Sequence, residues 1–139
     1  KEKRVNMENK LKHLEFIQTV INRMAGNCFM LKGWAITLVA ALFALSAKDA
    51  NHSYIFIAYF PVVIFWILNG YFLSQERLFR DLYDHVRKLE ESKIDFSMDT
   101  NDFKRDAKNR WLNSTFSFTL LVFYLALLGA TLFISYFIS

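Results

Sequence analysis

Three long apolar runs divide the chain: Gly33 to Ala47, Ser53 to Gln75 and Trp111 to Ser139. The second runs twenty-three residues and the third twenty-nine without a charged side chain. A hydrocarbon core about 30 Å thick is crossed by about 20 helical residues, so both are long enough. The first run has an apolar approach from Ala25, and it reaches that length if Lys32 snorkels its ammonium to the headgroups while its stem stays in lipid. One such segment could be the central helix of a soluble domain. Three could not, because so short a chain has too little other surface to cover them. The pattern predicts an all-α integral membrane protein with three transmembrane helices.

The periodicity continues past the first two runs. From Leu14, apolar residues recur at alternating spacings of three and four: Leu14, Ile17, Ile21, Met24, Cys28 and Leu31. This is a coiled-coil-like seam. No Pro interrupts Lys1 to Ala47, and one helix from about Met7 to Ala47 is expected, although Gly26 and Gly33 each weaken it by about 1 kcal/mol. Phe65, Leu68, Phe72, Gln75, Phe79, Leu82, Val86 and Leu89 form a matching seam that crosses the end of the second run. On its other faces Glu76 and Arg80, Arg77 and Asp81, Arg80 and Asp84, and Arg87 and Glu91 stand four apart. Such pairs stabilise a wet helix surface by about 0.2–0.5 kcal/mol each.

The link near Ala50 is short, so the two helices run antiparallel, which sets Met24 level with Glu76 and Leu14 with Val86. Each extension is about twenty residues, or about 30 Å of helix. The expected plan is a cytosolic amphipathic helix at 1–32 continuous with a first span at 33–47, then a second span at 53–75 with a cytosolic extension at 76–94. A turn and the start of a third helix follow at 95–110, capped at Thr100 or Asn101, with the third span at 111–139. Arg110 and Trp111 suit an interfacial anchor.

Charge sets the orientation. Seven Lys or Arg precede the first run and nine lie between the second and third, while the link between the first two carries only Lys48. Basic residues concentrate on the cytosolic side, so the N-terminus and 76–110 are expected in the cytosol and the C-terminus outside. A signal peptide would need a far shorter charged leader than this one. The glycosylation patterns Asn51-His52-Ser53 and Asn113-Ser114-Thr115 are discounted, because the pattern is common by chance and the second opens a membrane run.

Candidate chemistry is sparse. One Cys excludes an intramolecular disulfide and paired-thiol metal motifs. His13, His52 and His85 share no ligand spacing, His13 and His85 are expected to be solvated, and no Gly-rich phosphate loop occurs. No catalytic or metal-binding residue and no cofactor is expected, and the chain is not expected to be an enzyme.

Inside lipid, small residues mark close helix packing. Gly33, Thr37, Ala40, Ala41, Ala44 and Ala47 form such a face on the first span, and Ala126, Gly129 and Ala130 a shorter one on the third. They serve packing within one chain or contact between copies in a symmetric homo-oligomer; three helices alone cannot enclose a water-filled path. Asn69 needs a partner in hydrocarbon and is helix glue or, with Thr37 and Gln75, a candidate for pore lining or gating; Gln75, the polar member of the α2 seam, otherwise fixes register. Pro61 predicts a kink and is a candidate hinge. Arg23 and Lys32 have no acidic residue three or four positions away. Joined by Arg77, they are the candidates for an anionic ligand, lipid headgroups being the alternative for Lys32.

Two stretches carry a family resemblance: Leu14 to Gln18 through Arg23-Met24-Ala25-Gly26-Asn27 to Lys32-Gly33-Trp34, and Tyr71 to Tyr83. Together they resemble SLATT-type small bacterial membrane effectors, encoded beside nucleotide-signalling enzymes in anti-phage defence. The resemblance spans most of 14–83 and much less of the third run, and it rests on helix pattern rather than a catalytic signature. It implies an oligomeric inner-membrane channel whose cytosolic helices answer a nucleotide or short nucleic-acid ligand made by a partner enzyme. Opening would collapse the membrane potential and stop infected cells growing. A non-conducting scaffold whose stalk docks a protein partner is the alternative.

Overall fold

The computed structural model describes residues 2–49 and 53–138. Every regular element among them is helical. Helix α1 runs unbroken over Glu2–Asp49 and α2 over Ser53–Lys88, followed by a short α3 at Trp111–Thr115 and by α4 at Phe118–Ile138. The expected link at Ala50, and with it Asn51 and His52, lies outside the described residues. Three helices are long and apolar enough to cross a membrane, within Glu2–Lys48, Phe56–Lys88 and Phe118–Tyr136. Only 11 %, 22 % and 17 % of their most apolar stretches is buried within the chain. A water-soluble fold would cover these stretches; here they face outward, as a lipid environment requires.

Helices α1 and α2 pack antiparallel along their whole common length. Lys10 Nζ donates to the Leu89 carbonyl at 2.7 Å, Cys28 Sγ to the Asn69 carbonyl at 3.8 Å, and Ala35 and Val39 meet Val62. That register lies close to the one the seams predict. Away from the most apolar stretches, Ile17, Ile21, Leu82 and Val86 form a core that Leu14, Phe79 and Tyr83 complete. A second core joins Ala35, Val39 and Val62 to Leu120 and Tyr124 of α4. The two cores sit at opposite ends of one hairpin, and α4 covers only the second.

Four expectations need correction. The upper part of the α2 seam is rotated: Leu68 is exposed, whereas Ala58, Val62, Asn69, Gly70, Ser74 and Leu78 are buried. The cause is the third segment, which packs on α2 beside α1 and draws a four-residue ridge inward. Second, 95–110 forms two 3-10 turns, Asn101–Arg105 and Ala107–Asn109, instead of an α-helical start. Asp106, not Thr100 or Asn101, supplies a capping carboxylate, which accepts from the Lys108 N–H. Third, the run from Trp111 is two helices separated at Phe116 and Ser117. The local polar residues account for this: Thr115 Oγ1 bonds back to the Trp111 carbonyl and Asn113 Nδ2 to that of Ala107, an alternative to helix hydrogen bonding that such side chains offer. Fourth, His13 is buried at 1 % exposure, because residues 94–103 fold back over it.

Candidate functional site

The stripe Trp66, Gly70, Ser74, Arg77 and Asp81 recurs at three- and four-residue spacing and so shares one face of α2. It holds the broken third segment by its backbone. Trp66 Nε1 donates to the Thr115 carbonyl at 2.8 Å, Ser74 Oγ to that of Asn109 at 2.6 Å and Arg77 Nη1 to that of Lys108 at 2.7 Å. Trp111 Nε1 returns a bond to the Ile67 carbonyl at 3.1 Å. Asp81 accepts from Lys108 Nζ at 2.8 Å and from Asn109 Nδ2 at 2.6 Å. The hydrogen bond to Asp81 raises the Lys108 pKa above its ordinary value, so the ammonium stays charged through neutral pH. These bonds serve carbonyls that the irregular backbone of 107–115 leaves without helix partners.

The expected ion pairs form only in part. Arg80 does pair with Glu76 at 2.7 Å. Asp81 turns to Lys108 rather than Arg77, and Arg87 meets Asp84 at 3.2 Å. Arg77, a candidate for an anionic ligand, also reaches Ser114 Oγ at 3.3 Å. Lys32 stands over the Phe123 ring at 5.5 Å, a cation–π contact, and Arg23 is exposed on α1. The groove bordered by Arg77 is completed by Arg80, Asp81, Asp84 and Lys108, so the structure does not gather the three basic candidates into one cavity.

Asn69 is fully buried between α2 and α4, where its Nδ2 donates to the Tyr124 hydroxyl. The Tyr124 ring stacks on Trp66 with centroids 5.8 Å apart. Within one chain Asn69 therefore ties two helices together. Asn69→Leu is expected to leave the Tyr124 hydroxyl buried without this donor and to lower stability by about 1 kcal/mol; thermal unfolding in detergent checks it, and Tyr124→Phe should cost the Asn69 variant little more. Pro61 and Gln75 are half-buried on α2, which continues through Pro61.

The small-residue face of α1 is placed quite differently. Gly33, Thr37, Ala40, Ala41, Ala44 and Ala47 are all exposed, on the side of α1 away from Ala35 and Val39. Thr37 Oγ1 satisfies itself on the Gly33 carbonyl at 2.9 Å, and a Cβ at Gly33 would meet nothing within 4 Å. Ala126, Gly129 and Ala130 of α4 are exposed as well. Elsewhere the outward surface is bulky: Phe56, Phe60, Phe118 and Phe133 are 64–81 % exposed.

Comparison with protein-family models, curated proteins and solved structures gives no match. The sequence pattern missed this stripe on α2, although a signal was there: one small residue and four hydrogen-bonding side chains at helical spacing across the end of the second apolar run.

Proposed function

We propose that the chain is the subunit of an oligomeric membrane channel, acting as an effector of nucleotide-signalled bacterial defence. The observation that carries the assembly is the outward small-residue face of α1. Packing within the chain does not use it, and bulky side chains rather than Gly and Ala are what lipid-facing positions otherwise carry here. Close helix approach is the use small residues have in a membrane. A second small face on α4 allows a head-to-tail contact, α1 of one copy on α4 of the next, which closes into a ring if the rotation allows. Water would then pass along the ring axis and not through the sealed interior around Asn69.

The charged halves of α1 and α2 stand in the cytosol on this reading, in keeping with the distribution of Lys and Arg. Because α1 continues without a break from residue 2 to 49, a ligand that shifts the lower core shifts the membrane half with it. The defence role and the nucleotide signal rest on the family resemblance. Purified protein in planar bilayers is expected to give discrete current steps. Intact oligomers that remain silent with every cyclic and linear oligonucleotide tested would contradict the channel.

One observation favours the scaffold instead. Val5, Met7, Leu11 and Phe16 are 45–60 % exposed on the charged half of α1, a surface that suits a docked protein. Silent oligomers that retain a stoichiometric partner through this surface would establish that reading.

A further inference from the structure

Ahead of α3 the backbone steps along α2 from its charged part to its apolar part. Lys108 Nζ meets Asp81, the Asn109 carbonyl accepts from Ser74, and Trp111 Nε1 reaches the Ile67 carbonyl. The charges of α2 begin at Glu76, so residues 108–111 cross the level at which that helix leaves the apolar layer. Trp111, Leu112 and Phe116 are 48–66 % exposed there. Arg105 and Arg110, just before them in the chain, are exposed as well.

Across 76–87 and 102–110 every other charge is matched. Glu76 pairs with Arg80 and Asp84 with Arg87. Lys108 meets both Asp81 and Asp106. Arg77 is bonded to the Lys108 carbonyl and Lys104 to Asn101 Oδ1, and with Lys108 they equal Asp81, Asp102 and Asp106 in number. On α1 no acidic residue occurs between Phe16 and Ala47. Among the described residues no ion pair or hydrogen bond holds the guanidinium of Arg105 or Arg110. Two positive charges are left over, next to exposed apolar side chains at the edge of the apolar layer.

We infer that this surface binds an anionic phospholipid of the leaflet at the charged end of the hairpin. Arg110 donates to the phosphate, which suits the paired N–H groups of a guanidinium. The acyl chains lie on Leu112 and Phe116, and Trp111 sits at headgroup level as its amphipathic ring favours. Arg105, further from the apolar run, adds positive field. A zwitterionic lipid brings its own ammonium against the two arginines, whereas a net negative headgroup does not. A soluble phosphate or oligonucleotide would satisfy the guanidinium groups and leave Leu112 and Phe116 uncovered. The inference does not depend on conduction, and its failure would leave the channel reading untouched.

The test is native mass spectrometry of the full chain in a neutral detergent, with dioleoyl-phosphatidylglycerol or dioleoyl-phosphatidylcholine titrated in. One phosphatidylglycerol per chain should be retained about tenfold more tightly than phosphatidylcholine. Arg110→Gln should remove most of that preference and Arg105→Gln a smaller part. Leu112→Gln should weaken both lipids alike. Lys88→Gln, an equal loss of charge in the last turn of α2, should change nothing. Neither arginine side chain is bonded within the chain, so both variants should unfold in detergent at the wild-type midpoint. Equal retention of the two lipids, or an equal loss in Lys88→Gln, would overturn the inference. So would displacement of the lipid by equimolar inorganic phosphate or a single-stranded oligodeoxynucleotide, either of which would show that the acyl chains contribute nothing.

Discussion

Gly70→Ala is expected to detach the third segment from α2. A Cβ built there lies 1.9 Å from Thr115 Oγ1 and 2.7 Å from Thr115 Cα, and no non-bonded carbon tolerates the second distance. The hydroxyl could rotate away, but the backbone atom could move only if α3 moves. Overpacking of this kind costs about 1–3 kcal/mol where side chains alone must yield. Here it also strains the bonds from Trp66, Ser74 and Arg77 to the carbonyls of 108–115, each worth about 1 kcal/mol. A loss of about 3 kcal/mol or more is expected, read as a lowered unfolding midpoint and as faster amide exchange over 107–117. Thr115→Ala should rescue this only in part, since it removes Oγ1 and leaves Cα in place. Full rescue would mean that the hydroxyl alone makes the contact.

Ala40→Phe should have the opposite character, sparing the chain and abolishing the assembly. Position 40 is exposed on α1, so a phenyl ring there meets lipid in the monomer and costs the fold little. Between copies it would hold two backbones apart and forfeit the dispersion contacts that drive association in lipid, where no hydrophobic term compensates. A penalty of about 1–3 kcal/mol per contact, repeated round a ring, shifts the equilibrium to monomers. Sizing in detergent should show that shift with helix content unchanged, and bilayer currents should disappear. Gly33→Leu is a parallel test, because its added carbons likewise find open space within the chain.

The contrast between these two glycines shows what the sequence could express. Both interrupt a helix in an apolar run. The heptad spacing from Leu14 to Leu31 determines which side of α1 turns to α2, so Ile17, Ile21 and Cys28 were legible as its buried side. The same logic misplaced Leu68, because a two-helix seam cannot register a third body on the same helix. What decides between Gly33 and Gly70 is α3, a five-residue helix too short for periodicity to announce. Its position depends on the carbonyls of Lys108, Asn109 and Thr115, left without helix partners where the backbone is irregular before and after α3, and unpaired carbonyls have no sequence signature of their own. His13 was misread for a related reason. Its neighbours on α1 are polar, and the segment that buries it arrives from eighty residues away through non-helical chain.

Cross-linking inside the membrane tests the central claim, that copies meet through the outward face of α1. Lys32 stands over Phe123 and α4 runs in the direction of α1, so Ala40 lies near the depth of Ala130. With Cys28, the one native cysteine, replaced by Ala, Ala40→Cys and Ala130→Cys in one chain should yield a ladder of disulfide-linked multimers on mild oxidation of membranes. Monomers alone, or an equal ladder from Phe60→Cys with Phe133→Cys on the bulky surface, would contradict it.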